Sequence, residues 1–191
     1  MADMKGTGTE RNLLAAFAAG SQASVRYAIY AKKAKKEGYE QICAVFLETA
    51  EQERVHAKRL YKLMAGLSAE VTMPLTAHEV GATLANLALS AAGESRSGLE
   101  TYPAYAAKAR EEGFAEAALV FENLAKAELA HMARYKALAE NIEAGRVFSR
   151  EEPVTWMCRH CGWTFHGKNA PERCPACAHP KAHFEVARTQ W

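Results

Sequence analysis

The sequence predicts a mainly α-helical protein, a four-helix bundle followed by a small metal-binding domain of different build. Before residue 150 the chain is rich in alanine and glutamate, and its apolar residues recur at helical spacing. Four of the five cysteines lie in the last 34 of the 191 residues. A chain of this length can bury a core without disulfides. We therefore assign residues 1–150 to the bundle and 151–191 to the second domain.

Apolar spacing predicts four helices, at residues 9–37, 39–66, about 76–112 and about 114–144. Thr9 is placed to cap the first helix, and Gly38 to end it in a left-handed conformation. Residues 67–75, which include Pro74, predict a crossover connection between the second and third helices. Pro103 predicts a kink or irregular turn within the third helix.

The two halves of the helical region repeat after a shift of 75 residues. The shift aligns residues of the same type: Tyr27 with Tyr102, Glu37 with Glu112, Glu53 with Glu128, and His56 with His131. Two matched helix pairs joined by one longer connection describe a four-helix bundle with a crossover.

Two Glu-x-x-His motifs lie on apolar helix faces, Glu53 with His56 and Glu128 with His131. A carboxylate in a helical core is costly unless it is paired or binds a metal. A single motif would favour a buried ion pair, but two copies at repeat positions favour a metal site. Glu94 adds a carboxylate from the third helix. Carboxylates and imidazoles in such bundles hold two iron or manganese ions.

The C-terminal cysteines form two C-x-x-C pairs separated by 12 residues, Cys158 with Cys161 and Cys174 with Cys177. Two such pairs predict a closed tetrahedral thiolate site for zinc or iron, and a structural zinc ribbon is the alternative to an iron centre. We interpret the neighbouring histidines as surface residues that the site does not need, namely His160, His166, His179 and His183.

Composition limits the compartment and the partners. The one candidate for a cleaved signal, Leu13–Ala19, is short and has Glu10 and Arg11 just before it, so we do not expect a signal, and no run is apolar enough for a membrane span. Cysteine pairs that bind metal are typical of a reducing cytoplasm. The net charge of +2 argues against a protein that binds nucleic acid through bulk basic charge. We expect a cytoplasmic protein without nucleic-acid or membrane partners.

The sequence resembles rubrerythrins over essentially its whole length. The resemblance is carried by both Glu-x-x-His motifs, Glu94, Tyr27, Tyr102, the segment Glu143–Phe148 and the cysteine-rich tail at 174–185. It implies a ferritin-like di-iron bundle joined to a rubredoxin-like domain with iron bound by four cysteines. In such a bundle Glu53 and Glu128 would bridge the metals, and His56, His131 and Glu94 would be terminal ligands. Tyr27 and Tyr102 would lie beside the site.

The resemblance also implies an activity and partners. Rubrerythrins are non-haem iron peroxidases that reduce hydrogen peroxide to water in oxidative stress defence. Electrons would pass from an NAD(P)H-dependent reductase or rubredoxin to the four-cysteine iron and then to the di-iron site. Family members are homodimers in which the rubredoxin domain of one chain lies near the di-iron site of the other.

Two positions depart from the family pattern. Gly20 and Ser97 stand where rubrerythrins carry glutamates that bind metal. Five carboxylates around two ferrous ions leave a net charge of −1, but the three present here leave +1. We therefore predict a partly loaded or mixed-metal site, with water or an anion in the vacated space. Two alternatives follow: an iron-binding or electron-transfer protein with an impaired site, and a structural bundle with a zinc ribbon.

Overall fold

The computed structural model describes residues 3–64, 66–73 and 76–188. Four long helical segments form the bundle, and the third is built from two helices joined by a π-helical turn at Ser97–Thr101. The helices are α1 (Gly8–Lys36), α2 (Glu40–Leu63), α3 (Thr83–Arg96), α4 (Tyr102–Glu111) and α5 (Ala115–Glu143). The predicted fold class, a ferritin-like helical bundle with a small C-terminal metal-binding domain, is confirmed.

The cap of α1 differs from the prediction. Thr7, rather than Thr9, is the N-cap residue, and its hydroxyl oxygen accepts a hydrogen bond from the backbone N–H of Glu10 at 3.1 Å. The helix begins one residue early, so the Thr9 hydroxyl donates instead to Glu112. At the other end Gly38 has a φ of +81°, the predicted left-handed conformation.

The ends of the crossover connection were predicted wrongly. The second helix ends at Leu63 rather than residue 66, and the third begins at Thr83 rather than residue 76. The Asn86 side chain holds the incoming chain out of the helix, because its amide both accepts from and donates to the backbone of Gly81. Pro74, predicted to lie in this connection, is outside the described residues.

The irregular turn predicted at Pro103 precedes the proline. Pro103 lies in the first turn of α4, and the π-helical turn comes immediately before it. Proline has no N–H to donate and crowds the preceding turn, which a locally widened helix accommodates. Gly98 in this turn has no space for a side chain, since a Cβ there would approach Leu129 to 2.8 Å and the Ala125 carbonyl oxygen to 3.0 Å.

Two apolar clusters fill the bundle, one above the other. In both, α1 packs along α2; α3 packs along α5 in the first cluster, and α4 packs along α5 in the second. One cluster includes Tyr27, Phe46, Leu87 and Tyr135, and the other includes Leu13, Leu60, Tyr102 and Phe121. Along each helical segment, a short stretch separates the residues of one cluster from those of the other. These stretches contain the predicted metal ligands and also Gly20 and Ser97.

The C-terminal domain is a three-stranded antiparallel sheet of order β2-β1-β3. Its strands are β1 (Ser149–Cys158), β2 (Thr164–Asn169) and β3 (Phe184–Val186). A small core forms around Trp156, whose indole N–H donates to the Gly167 carbonyl oxygen at 3.0 Å. Among the described residues, no helix has the length and apolarity needed to cross a membrane.

The domain rests against the start of α2. The rings of Tyr39 and Phe148 stack with centroids 6.3 Å apart. His183 Nε2 lies 3.9 Å from Glu40 Oε1, which places the end of the domain beside the first turn of the helix.

Candidate metal centres

Four of the five predicted bundle ligands converge between the two apolar clusters. Glu53, Glu94, Glu128 and His131 are buried and present ligand atoms that lie within 4.8 Å of one another. The fifth, His56, is half-buried and lies at the edge of this group. α2 and α5 each supply a Glu and a His, which the i, i+3 spacing places on one inward face. α3 supplies Glu94.

Glu128 faces both imidazoles. Its Oε1 lies 3.3 Å from His56 Nδ1, and its Oε2 lies 3.2 Å from His131 Nδ1. Glu53 also lies between them, with Oε1 at 3.6 Å from His56 Nδ1 and 3.3 Å from His131 Nδ1. Glu94 is on the His131 side, with Oε2 at 3.8 Å from His131 Nδ1. The arrangement suits two cations that share Glu53 and Glu128 and have one imidazole each.

The buried donor atoms fit a cation. Glu53 Oε1, His56 Nδ1 and Glu128 Oε1 are each shielded from solvent and make no hydrogen bond within the described part of the chain. Such groups are rare in folded proteins because each loses its hydration without replacement. A metal ion would satisfy all three at once. Carboxylate oxygens with imidazole nitrogens suit iron or manganese.

The electrostatics of the cluster also call for positive charge. Burial, assisted by the nearby Glu128 and Glu53, raises the pKa of Glu94 to about 8 even though His131 acts to lower it. Burial would lower the pKa of His131, but its contacts with Glu128, Glu53 and Glu94 outweigh that effect and raise it to about 11. Protons thus supply the charge that these three carboxylates need.

Of the two predicted tyrosines, one contacts a candidate ligand. The Tyr27 hydroxyl donates a hydrogen bond to Glu94 Oε1. Burial and the adjacent Glu94 charge raise the pKa of Tyr27 well above its usual value, so it stays a donor. Tyr102 is buried beside the same group, but among the described residues its hydroxyl donates to no site carboxylate.

Gly20 and Ser97 face one cavity of about 100 Å³ on the α1 and α3 side of the cluster. Glu53, Glu94 and Glu128 form its inner wall. A Cβ on Gly20 would lie 3.5 Å from Glu53 Oε2, an ordinary van der Waals contact. Space therefore exists at both positions where the family pattern has an acid.

An open cleft of about 390 Å³ reaches the cluster from the α2 and α5 side, and two of its polar residues, Gln52 and Arg134, were not predicted from the sequence. His56 and His131 line it together with Gln52 and Arg134. The Arg134 guanidinium is held by hydrogen bonds to Gln52 and to the Thr49 hydroxyl. The 75-residue repeat aligns Arg134 with Arg59, but a repeated arginine does not by itself indicate a position beside a metal site.

The four C-terminal cysteines also converge. Cys158 Sγ lies 3.7 Å from Cys177 Sγ, and Cys161 Sγ lies 3.6 Å from Cys174 Sγ. All four sulfur atoms lie within 4.8 Å of one another, as a tetrahedral thiolate site requires. Cys158 and Cys174 are buried, whereas Cys161 is exposed.

The two cysteine pairs fold alike. After the second cysteine of each pair, Gly162 and Ala178 adopt left-handed conformations with φ of +79° and +59°. Each donates its N–H to the carbonyl oxygen of the first cysteine at 2.8 Å. At Cys174, burial acts to raise the pKa, but the backbone N–H groups of Ala176 and Cys177 outweigh it and lower the pKa to about 7. The backbone thus favours the thiolate at Cys174. At Cys177 a backbone hydrogen bond from His179 acts to lower the pKa, but burial and the three neighbouring cysteines outweigh it and raise the pKa to about 12.

The interpretation of the neighbouring histidines as surface residues is only partly correct. His160 and His166 are exposed, but His179 and His183 are half-buried. The rings of His160 and His179 stack with centroids 3.6 Å apart, and His183 contacts His179 edge-on at 4.7 Å. This packing brings together residues distant in sequence, which spacing could not show.

Family comparisons match both parts of the chain. The model described as Rubrerythrin matches residues 11–150, and the model described as Rubrerythrin, rubredoxin-like domain matches residues 156–185. The rubrerythrin of Nitratidesulfovibrio vulgaris is 50% identical over 191 residues, with both chains fully covered. The rubrerythrin of Porphyromonas gingivalis is 50% identical over 188 residues, which cover 98% of this chain and 94% of the relative.

Solved structures agree in fold. The fully reduced, all-ferrous state of nigerythrin is 32% identical and superposes with a TM-score of 0.63, covering 98% of this chain and 92% of that one. Mycobacterium tuberculosis bacterioferritin is 17% identical, with a TM-score of 0.64 over 74% of this chain and 90% of that one, and shows the shared fold alone. The predicted cofactor sites, a ferritin-like di-iron site and a rubredoxin-like four-cysteine site, are confirmed. By both domain matches, the full-length identity and the two clusters, the chain belongs to the rubrerythrin family.

Proposed function

We propose that this chain is a non-haem iron peroxidase that reduces hydrogen peroxide to water and serves in oxidative stress defence. The reaction takes two electrons and two protons for each peroxide and yields two waters. The observation that carries the proposal is the pair of carboxylates, Glu53 and Glu128. Each faces both imidazoles and has a buried oxygen without a hydrogen-bond partner among the described residues.

Each site residue has a role in this proposal. Glu53 and Glu128 would be shared by the two metals, while His56, His131 and Glu94 would each hold one of them. Iron held there would supply the electron transfer that peroxide reduction requires. Tyr27 fixes the orientation of Glu94 through its hydrogen bond. The cleft beside His56 and His131 gives a molecule as small as peroxide a route to the cluster.

The four cysteines would relay electrons to the bundle. Cys161 is exposed, so a donor can approach this centre directly. The donor class we propose is an NAD(P)H-dependent reductase or a rubredoxin, and the compartment is the cytoplasm, where thiolate centres persist.

A homodimer would bring the two centres together. Within one chain, His183 contacts Glu40 at the start of α2, and Glu53 lies 13 residues further along that helix. At 1.5 Å per residue, this is a separation of about 20 Å along the helix axis. A second chain whose C-terminal domain lies at the cluster would shorten the path.

The test follows the red colour of the ferric four-cysteine centre. The centre is reduced anaerobically, peroxide is added, and the return of colour is timed in the unaltered chain, in Glu53→Ala and in Glu51→Ala. Glu51 is an exposed residue of the same helix that pairs with Arg54, so its variant controls for the loss of one carboxylate. We expect rapid reoxidation in the unaltered chain and in Glu51→Ala, and slow reoxidation in Glu53→Ala.

Equal rates in all three proteins would refute the peroxidase proposal. The cavity at Gly20 and Ser97 gives specific support to the alternative, an iron-binding or electron-transfer protein whose bundle site has lost turnover. A colourless protein containing zinc would instead indicate a structural bundle with a zinc ribbon.

A further inference from the structure

The cavity at Gly20 and Ser97 has the features of a binding site for a small anion. Its volume of about 100 Å³ compares with roughly 30 Å³ for one water molecule in the liquid. The space is therefore large enough for an anion of three or four heavy atoms. It lies directly against the cluster, because Glu53, Glu94 and Glu128 form part of its wall.

Both polar and apolar residues line the cavity. Arg26, Gln22 and Ser97 provide a guanidinium, an amide and a hydroxyl group, all of which can donate hydrogen bonds. Four positions on the wall are small and apolar or lack a side chain, namely Ala19, Gly20, Ala23 and Gly93, and two buried tyrosines, Tyr27 and Tyr102, complete the lining. Guanidinium groups bind carboxylates with two parallel hydrogen bonds, and a short alkyl group fits an alanine-lined wall.

Charge and ligand number favour an anion when the cluster holds metal. This step rests on the proposed metal-binding function. Three carboxylates leave two divalent ions with a net charge of +1 in a buried site, which is unfavourable without a further anion. A metal beside His56 would have no counterpart to Glu94 among the described residues, because Glu94 lies on the His131 side. Oxygen ligands are the ones that such metals accept most readily.

We propose that the cavity binds a small monocarboxylate of the formate or acetate class, which takes the place of the carboxylate that α1 lacks. The bound anion completes the ligand set on the side of Gly20 and lowers the excess positive charge. Binding of metal and carboxylate is then coupled, so each tightens the other by the same factor.

The experiment titrates Mn²⁺ into the full-length protein after its four-cysteine site has been filled with iron. Free Mn²⁺ is counted by electron paramagnetic resonance, with formate or acetate present, and with chloride at equal ionic strength as the control. We expect the carboxylates to tighten binding of the second Mn²⁺ at least about fivefold over chloride.

Two variants locate the effect. In Gly20→Glu the chain itself supplies the carboxylate, and the 3.5 Å spacing at the Cβ position allows the change. We expect tighter binding of the second Mn²⁺ without formate and no further response to it. Ala18→Glu adds the same charge at an exposed position on the same helix, so the formate response should persist.

The outcomes separate this inference from the metal-site proposal. Two Mn²⁺ ions bound equally in formate and in chloride would overturn the carboxylate site and leave the metal site standing. A formate response that survives in Gly20→Glu would also overturn it, because the anion would then lie elsewhere. Failure of the bundle to bind Mn²⁺ under any condition would overturn both proposals.

Discussion

Glu37 and Glu112 lie at equivalent positions of the 75-residue repeat, and each caps a helix of the opposite half. Glu112 accepts hydrogen bonds from the backbone N–H groups of Gly8 and Thr9 at the start of α1, at 3.0 and 2.8 Å. Glu37 accepts one from the N–H of Thr83 at the start of α3, at 2.8 Å. A negative charge at a helix N-terminus is stabilising. The end of one helix pair therefore fixes the beginning of the other.

We expect Glu112→Gln to destabilise the bundle by about 1 kcal/mol near neutral pH, the typical effect of losing a helix cap. The hydrogen bonds from Thr9 and Gly8 lower the pKa of Glu112 to about 2, despite the opposing effect of partial burial. Its stabilising effect is thus fully present above its ordinary pKa and is lost as the pH falls towards 2. Urea unfolding at several pH values measures the difference between the two proteins.

The control for this prediction is Glu111→Gln. Glu111 is an exposed neighbour whose carboxylate pairs with Lys108 on its own helix. We expect its effect on stability to be close to zero. A Glu112→Gln penalty that stays constant from pH 6 to pH 2 would show that the charge of Glu112 does not stabilise α1.

Tyr27→Phe removes the only hydroxyl that donates to Glu94 among the described side chains. We expect it to weaken metal binding in the bundle by 10- to 100-fold, the usual range for loss of a group that orients a ligand. Tyr30→Phe is the matched control, because the buried Tyr30 hydroxyl has no hydrogen-bond partner in the part of the chain that the structure describes. Competition against a chelator measures both affinities. Equal affinities in the two variants would mean that Tyr27 does not orient Glu94.

The sequence allowed prediction of the parts of the site that depend on helical spacing. The i, i+3 spacing on an apolar helix face and the 75-residue repeat were enough to predict four candidate ligands, namely Glu53, His56, Glu128 and His131. This spacing is a property of one helix, so it can be read without knowing how the helices pack. The start of α3 did not follow, because the Asn86 side chain and Glu37 fix it through contacts that no spacing reveals. The cleft with Arg134 likewise depends on packing between helices distant in sequence.

We predict that the two bundle metals are held unequally. The His131 side has Glu94 in addition to the shared carboxylates, whereas no further carboxylate of the described residues pairs with His56. Dialysis against a mild chelator, in a buffer without carboxylates, should remove one iron per bundle before the other. The expected gap in affinity is at least about tenfold, or about 1.4 kcal/mol.

Gly20→Glu should close that gap by supplying a ligand from α1, and Ala18→Glu should not, since Ala18 is exposed. Iron analysis of the dialysed proteins measures the result. Two irons retained equally tightly in the unaltered chain would contradict the prediction and would mean that three carboxylates suffice.

The C-terminal domain should depend on its metal for folding. Its core is small and consists of Trp156, Phe184, Ala170 and the two buried cysteines. A core of this size buries too little apolar surface to keep a domain folded without a metal. We expect Cys174→Ala to abolish the red absorption and to shift the fluorescence of the buried Trp156 to longer wavelength as the indole meets water. The helical circular dichroism should persist, because the bundle has its own two apolar clusters.

Cys43→Ala is the control, since Cys43 is buried in the bundle and lies outside the thiolate cluster. It should keep both the colour and the fluorescence. Unchanged tryptophan fluorescence in Cys174→Ala would show instead that the sheet folds without four thiolates around a metal.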